Sequence, residues 1–140
     1  PHFPFAPKDF ARCLNATCPR SQNCLRRTAA LQDTDEHLFL KVVNPLRYPK
    51  EGEECELFRS TDKVRMAWGV THLLDNVPYK EGSLLRNMII NHLGRSQYYR
   101  CFRKERPFAP QDQQTIRMLF RQRGISEEPS FDYYTNEFNW

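Results

Sequence analysis

Four cysteines are the residues best suited to chemistry. Cys13, Cys18, Cys24 and Cys55 have the spacing C-x4-C-x5-C-x30-C, within Cys18-Pro19-Arg20 and Cys24-Leu25-Arg26. Soft divalent ions favour thiolates, and tetrahedral zinc takes four ligands, so a structural zinc ion is the first reading. The common zinc knuckle places two residues between its first pair, and the present spacing is looser. The Cys-Pro step is similar to that of ferredoxin-type ligands, which keeps an iron–sulfur cluster as an alternative cofactor. Buried free thiols and, in an exported protein, disulfides are the plainer alternatives. Asn15-Ala-Thr17 is a glycosylation triplet, a pattern that also arises by chance. Cys101 stands apart and is expected to be unliganded and buried. His72 or His92 can replace Cys55 in a three-cysteine site, but a lone helical histidine is more often packed or solvated.

A basic block is the second lead. Residues 86–123 carry nine Arg or Lys against Glu105 and Asp112, whereas residues 124–140 carry four acids and no base. Arg95, Arg100, Arg103 and Lys104 interleave with Tyr98 and Tyr99, and Arg117 and Arg121 follow on a later helix. Arginine pairs with phosphate and aromatic rings stack on bases, so this set is the candidate surface for DNA or RNA. The competing explanation is that the acidic, aromatic tail folds back and neutralises the block. A protein partner or a second copy of the chain is the alternative occupant.

These groups need elements to position them. Residues 1–12, with three prolines, predict an extended lead-in. Ser21 or Asn23 can cap a short helix from Cys24 to Leu31, placing the Cys24 sulfur beside free N–H groups that stabilise negative charge. His37–Val43 reads as a strand closed by Asn44-Pro45, and residues 44–56 as a loop that delivers Cys55. Val64, Ala67, Trp68, Thr71 and Leu74 recur at helical spacing, predicting a helix from Ser60 or Thr61 to Asn76. A second helix over about 80–93, with Leu84, Leu85, Met88, Ile89 and His92 inward and Gly94 as its stop, would complete an αα-hairpin. Residues 95–103 are rich in aromatics and read as a strand. A third helix starts at Pro110, has Asp112 in its first turn, buries Ile116, Leu119 and Phe120, and stops at Gly124. Its cap position holds Ala109, a poor N-cap. The aromatic tail, Phe131 to Trp140, is expected to dock on the core.

The predicted fold is therefore mainly α with a small β or extended component (α+β). It is a single domain, 1–140, with a cysteine-rich region to residue 56 and a helical region after it. There is no catalytic constellation and no phosphate-binding glycine loop, which argues against an enzyme. A small-molecule substrate is not identifiable. No apolar run approaches the roughly 20 residues that span a bilayer. The N-terminus lacks a basic n-region and a long apolar stretch, so the expected location is the cytoplasm. Lacking an initiator Met, the chain reads as processed or trimmed, which leaves a removed signal open.

Taken together, Cys18-Pro-Arg and Cys24-Leu-Arg, Lys63-Val-Arg65 with Trp68-Gly69, Asn76-Val-Pro78, Gly94-Arg95 with Tyr98-Tyr99-Arg100, Gly124-Ile125 and Phe131-Asp-x-Tyr resemble a family. It is an uncharacterised domain-of-unknown-function family of gut Bacteroidales bacteria, and the resemblance covers nearly the whole chain. It implies a bacterial, intracellular protein in which the four cysteines act as a unit, and it implies no activity. Members usually carry Ser or a similar cap where this chain has Ala109. A small non-enzymatic, metal-stapled domain, with nucleic acid on its 95–123 surface, is the reading the sequence supports.

Overall fold

The computed structural model describes residues 5–32 and 36–140. The start of the expected lead-in, including His2, lies outside the described residues. Among the described residues, four α-helices and a two-stranded sheet make up the regular structure, in the order α1 (Leu25–Gln32), β1 (Val64–Trp68), α2 (Tyr79–Leu93), α3 (Arg95–Phe102), α4 (Pro110–Gln122) and β2 (Tyr133–Glu137). This is a mainly helical α+β fold, as expected. The chain forms two compact units: residues 1–63 with 137–140, and residues 64–136.

The second unit is built on a conventional core. Leu85 and Ile89 of α2, Tyr98 and Cys101 of α3, and Ile116 and Phe120 of α4 bury against Ala67, Phe108 and Phe131. Side chains of this size each contribute about 1.5–3 kcal/mol when fully removed from water. The helices that sequence periodicity identified are present: α2 ends at Gly94, whose φ of 86° suits glycine, and α4 begins at Pro110. Ala109 makes no side-chain cap there. Leu84 and His92, expected inward on α2, are exposed, because the buried stripe follows Leu85 and Ile89 instead.

Two expectations in this unit are overturned. Residues 60–76 are not a helix, so there is no αα-hairpin: Val64–Trp68 is a strand paired with β2, and residues 71–76 form turns. Met66, Ala67 and Trp68 are all buried, so the strand is covered on both faces and shows no alternation. Its remaining backbone is used as well, since Ala67 and Phe108 exchange N–H···O bonds of 3.1 and 2.7 Å. Tertiary pairing on both sides outweighs a helix-like spacing of apolar residues. Gly69 then leaves the strand at φ 79°, close enough to Asp132 and Lys104 that a Cβ would collide with both.

Residues 95–102 are the helix α3, not a strand. It starts immediately after Gly94, with Tyr98 N–H bonding the Gly94 carbonyl at 2.9 Å. Tyr98 and Cys101, three apart, supply its buried face.

The first unit is irregular. Among its described residues it has, besides α1, 3-10 turns at Ser21–Asn23 and Pro45–Arg47 and two isolated bridges, Arg12 with Val42 and Cys24 with Ser60. The strand expected over 37–43 is not formed: Leu38 and Phe39 are exposed, and pairing is confined to the bridge beside buried Val43. The C-terminal aromatics do dock within this unit. Trp140 packs edge-on to Phe10 with ring centroids 5.4 Å apart, and to Phe138 at 5.5 Å.

Candidate cysteine site and basic face

Backbone hydrogen bonds bring the cysteine segments together. Cys13 N–H donates to Arg26 C=O (3.0 Å), which sets the first cysteine beside α1. Cys24 immediately precedes α1 and accepts from Thr28 N–H with its carbonyl (3.0 Å), the position of an N-cap. The flanking bonds Leu25 N–H to Arg59 C=O (2.6 Å) and Thr61 N–H to Asn23 C=O (3.1 Å) pin this point to the chain that follows Cys55. Cys55 sits in a turn closed by Phe58 N–H (3.2 Å). All four cysteines consequently line one cavity of about 30 Å³, the scale of a single water molecule. Cys18 and Cys55 also line a second cavity of about 300 Å³.

Every cysteine is a free thiol, with Cys24 buried and Cys13, Cys18 and Cys55 half-buried. Among the described residues, no group of three or more His, Cys, Asp or Glu side chains is arranged to hold a metal ion. The thiols therefore share a wall without converging on a point. Four arginines, Arg20, Arg26, Arg27 and Arg47, line the same cavity. Arg20 stacks on Phe58 with its Cζ 3.5 Å from the ring centroid, while Arg27 Nη1 reaches Cys13 C=O at 3.5 Å. Among the described residues, only Arg47 of these four pairs with a carboxylate, Glu56 at 2.9 Å. Sequence reasoning missed these cations. The arginines that directly follow Cys18-Pro and Cys24-Leu were the available signal. Asn15 Oδ1 accepts from the N–H and hydroxyl of Thr17, so the glycosylation triplet is folded into a local turn on this rim.

His72 and His92 belong to the other unit and bond carboxylates, Asp75 at 2.7 Å and Asp112 at 3.3 Å. Cys101, also in that unit, is buried, and its Sγ lies 3.9 Å from the Pro107 carbonyl. Burial pushes its thiol up to about 11.

The basic block is largely paired. Glu128 of the acidic tail receives Arg117 at 2.6 Å and Arg121 at 3.6 Å, and Asp132 receives Lys104 at 3.2 Å. Burial alone would raise the Asp132 carboxyl, but the Thr71 hydroxyl, Lys104 and His72 outweigh it and hold it below the usual carboxylate range. Arg103 binds Glu105 at 3.0 Å and Arg123 binds Glu81 at 2.6 Å. Tyr98 is buried, which raises its phenol. What remains outward of the candidate set lies on α3. Arg95 lies over the Tyr99 ring at 5.7 Å, Tyr99 meets exposed Phe102 at 6.3 Å, and Arg100 has no side-chain hydrogen bond or ion pair among the described residues.

The family described as a family of unknown function, DUF6078, matches residues 2–140. The chain belongs to that family. No curated protein and no solved structure matches the chain. For this DUF6078 protein, function has to be argued from the site itself.

The burial of Cys101 has a direct chemical consequence, because the thiolate is the species that alkylates. After any bound metal has been removed by a chelator, iodoacetamide at pH 8 in native buffer should label the half-buried Cys13, Cys18 and Cys55 and leave Cys101 unmodified until denaturant is added. Labelling of Cys101 at the rate of the others, read by peptide mass spectrometry, would contradict its placement.

Proposed function

We propose that this protein is a non-enzymatic binding domain whose first unit is stapled by a zinc ion held between Cys13, Cys18, Cys24 and Cys55. The observation that carries the reading is that four thiols from separated segments line one small cavity. Zinc requires sulfurs about 2.3 Å from the metal, so binding would draw the two cysteine loops inward from their positions around the cavity. Cys18 and Cys55 border a second, larger cavity, which leaves room for that movement. The ligand set favours zinc or an iron–sulfur cluster over hard cations. A staple suits a unit whose buried apolar residues among those described are few, with Ala6, Leu25, Ala29 and Val43 among them.

A second reading concerns the partner. On α3, exposed Tyr99 and Phe102 with Arg95 share one face and Arg100 lies to its side, combining guanidinium groups that have no carboxylate partner among the described residues with exposed rings, the combination that takes single-stranded nucleic acid. This region is much narrower than the 95–123 surface, because the tail carboxylates occupy Lys104, Arg117 and Arg121. A protein partner would use the same rings with less dependence on charge.

Two measurements check these readings. Protein purified anaerobically should contain one zinc per chain. Cys18→Ser or Cys55→Ser should abolish it and unfold the first unit, since structural zinc contributes about 10–16 kcal/mol in small domains. Iron with sulfide would move the reading to a cluster protein. Metal-free protein whose melting temperature is unchanged by zinc would remove the staple. For the α3 face, a labelled single-stranded oligonucleotide should bind with salt-dependent affinity. Tyr99→Ala should weaken it by about 1–3 kcal/mol. Absence of binding at low salt, or indifference to Tyr99→Ala, would end the nucleic-acid reading.

A further inference from the structure

The first unit also contains a cavity of about 510 Å³, within the range of small-molecule sites. Its wall includes Phe10, Arg26, Lys41, Arg59 and Trp140, with Asp9 as its one carboxylate. Two guanidinium groups share a single ring: Arg26 Cζ lies 4.8 Å and Arg59 Cζ 5.9 Å from the Phe10 centroid. Like charges held this close repel, and each ordinarily draws in a carboxylate. Here neither does, since no ion pair engages Arg26, Arg59 or Lys41 among the described residues. Backbone carbonyls hold them instead. Arg26 donates from Nε to Leu57 C=O at 2.7 Å and from Nη1 to Ala11 C=O at 3.1 Å, and Arg59 Nη1 donates to Asn139 C=O at 2.8 Å. The bonds fix both guanidinium groups in place, without an ion pair among the described residues, beside an aromatic-walled space.

We propose that this cavity binds a small ring-bearing oxyanion. Its carboxylate or phosphate would sit between Arg26 and Arg59 with Lys41 adding long-range attraction, and its ring would pack against Trp140 and Phe10. Arg26 Nη2 and Arg59 Nε and Nη2 engage no carbonyl among the described residues and can donate charge-assisted hydrogen bonds to either oxyanion, and the edge-to-face Phe10–Trp140 pair offers a flat group an apolar wall. Arg26, Val43 and Leu57 also line the cysteine cavity, so the two sites share a wall within one unit.

The test is a titration of the full chain, as purified, with benzoate, indole acetate and AMP, each beside its uncharged counterpart (benzamide, indole and adenosine). Amide chemical shifts provide the readout. Saturable shifts centred on residues 9–11, 41, 59 and 140 are expected with the anions and not with the neutral molecules. Preference for AMP would identify phosphate as the oxyanion, and preference for the acids carboxylate. Arg59→Gln should weaken binding at least tenfold. Lys41→Gln, which disturbs no hydrogen bond to the backbone, should weaken it severalfold without altering the spectrum of the free protein. The proposal is overturned if no anion saturates the site at millimolar concentration. It is also overturned if neutral analogues bind equally, or if a folded Lys41→Gln protein and a folded Arg59→Gln protein both bind as the parent does.

Discussion

The first unit depends on arginine side chains that bond backbone carbonyls. With one eight-residue helix and two isolated bridges among its described residues, its loops present many carbonyl groups that no ladder satisfies. Arg12 Nη1 reaches the carbonyls of Pro7, Lys8 and Phe10 at 2.8, 3.1 and 2.8 Å, and its side chain is fully buried. Arg26 joins the 11 and 57 segments, Arg27 reaches Cys13, and Arg59 holds the C-terminal residues through Asn139. A charged donor makes a stronger hydrogen bond than a neutral one, so a few such groups can replace a missing sheet. The cost is electrostatic. Arg26, Arg27 and Arg59, spent on carbonyls, have no ion pair among the described residues, and their charges line the cysteine cavity or the aromatic one. Structure and proposed binding chemistry in this unit therefore have a common origin: thiolates or an external oxyanion would supply the missing negative charge.

The second unit handles charge in the opposite way. Its helices bury an ordinary apolar core, and its surface arginines find carboxylates, mostly exposed pairs worth about 0–1 kcal/mol each. Those pairs matter less for stability than for what they conceal. Glu128 and Asp132 of the tail pair three of the nine basic residues of 86–123, Arg117, Arg121 and Lys104, while Glu105 and Glu81 pair Arg103 and Arg123.

Sequence reasoning succeeded where a single segment carries the whole signal. Helices α2 and α4 have one-sided apolar stripes, a glycine stop or a proline start, and both could be read directly. The acidic tail and the basic block were legible as opposite charges. The segment 64–68 was not, because a strand buried on both faces carries no period-2 pattern, and Val64, Ala67 and Trp68 fall by coincidence on a helical spacing. Likewise α3 packs only Tyr98 and Cys101 inward, too short a stripe to outweigh its aromatic, strand-like composition. The grouping of the cysteines was visible from their spacing, whereas the ring of arginines around them and the Phe10–Arg26–Arg59–Trp140 cavity were not. Those sites join residues from distant segments, and their partners are backbone carbonyls, which have no signature in a sequence.

The claim that the four thiols act as one site can be tested most directly by cobalt(II) titration of the reduced, metal-free protein. Cobalt takes zinc's place in thiolate sites and reports its geometry by colour. A tetrahedral four-sulfur site predicts intense visible d–d bands and thiolate-to-metal charge transfer, saturating at one equivalent and reversed by zinc. A weak spectrum characteristic of octahedral aqueous cobalt, unchanged as metal is added, would show that Cys13, Cys18, Cys24 and Cys55 are neighbours without a shared ion.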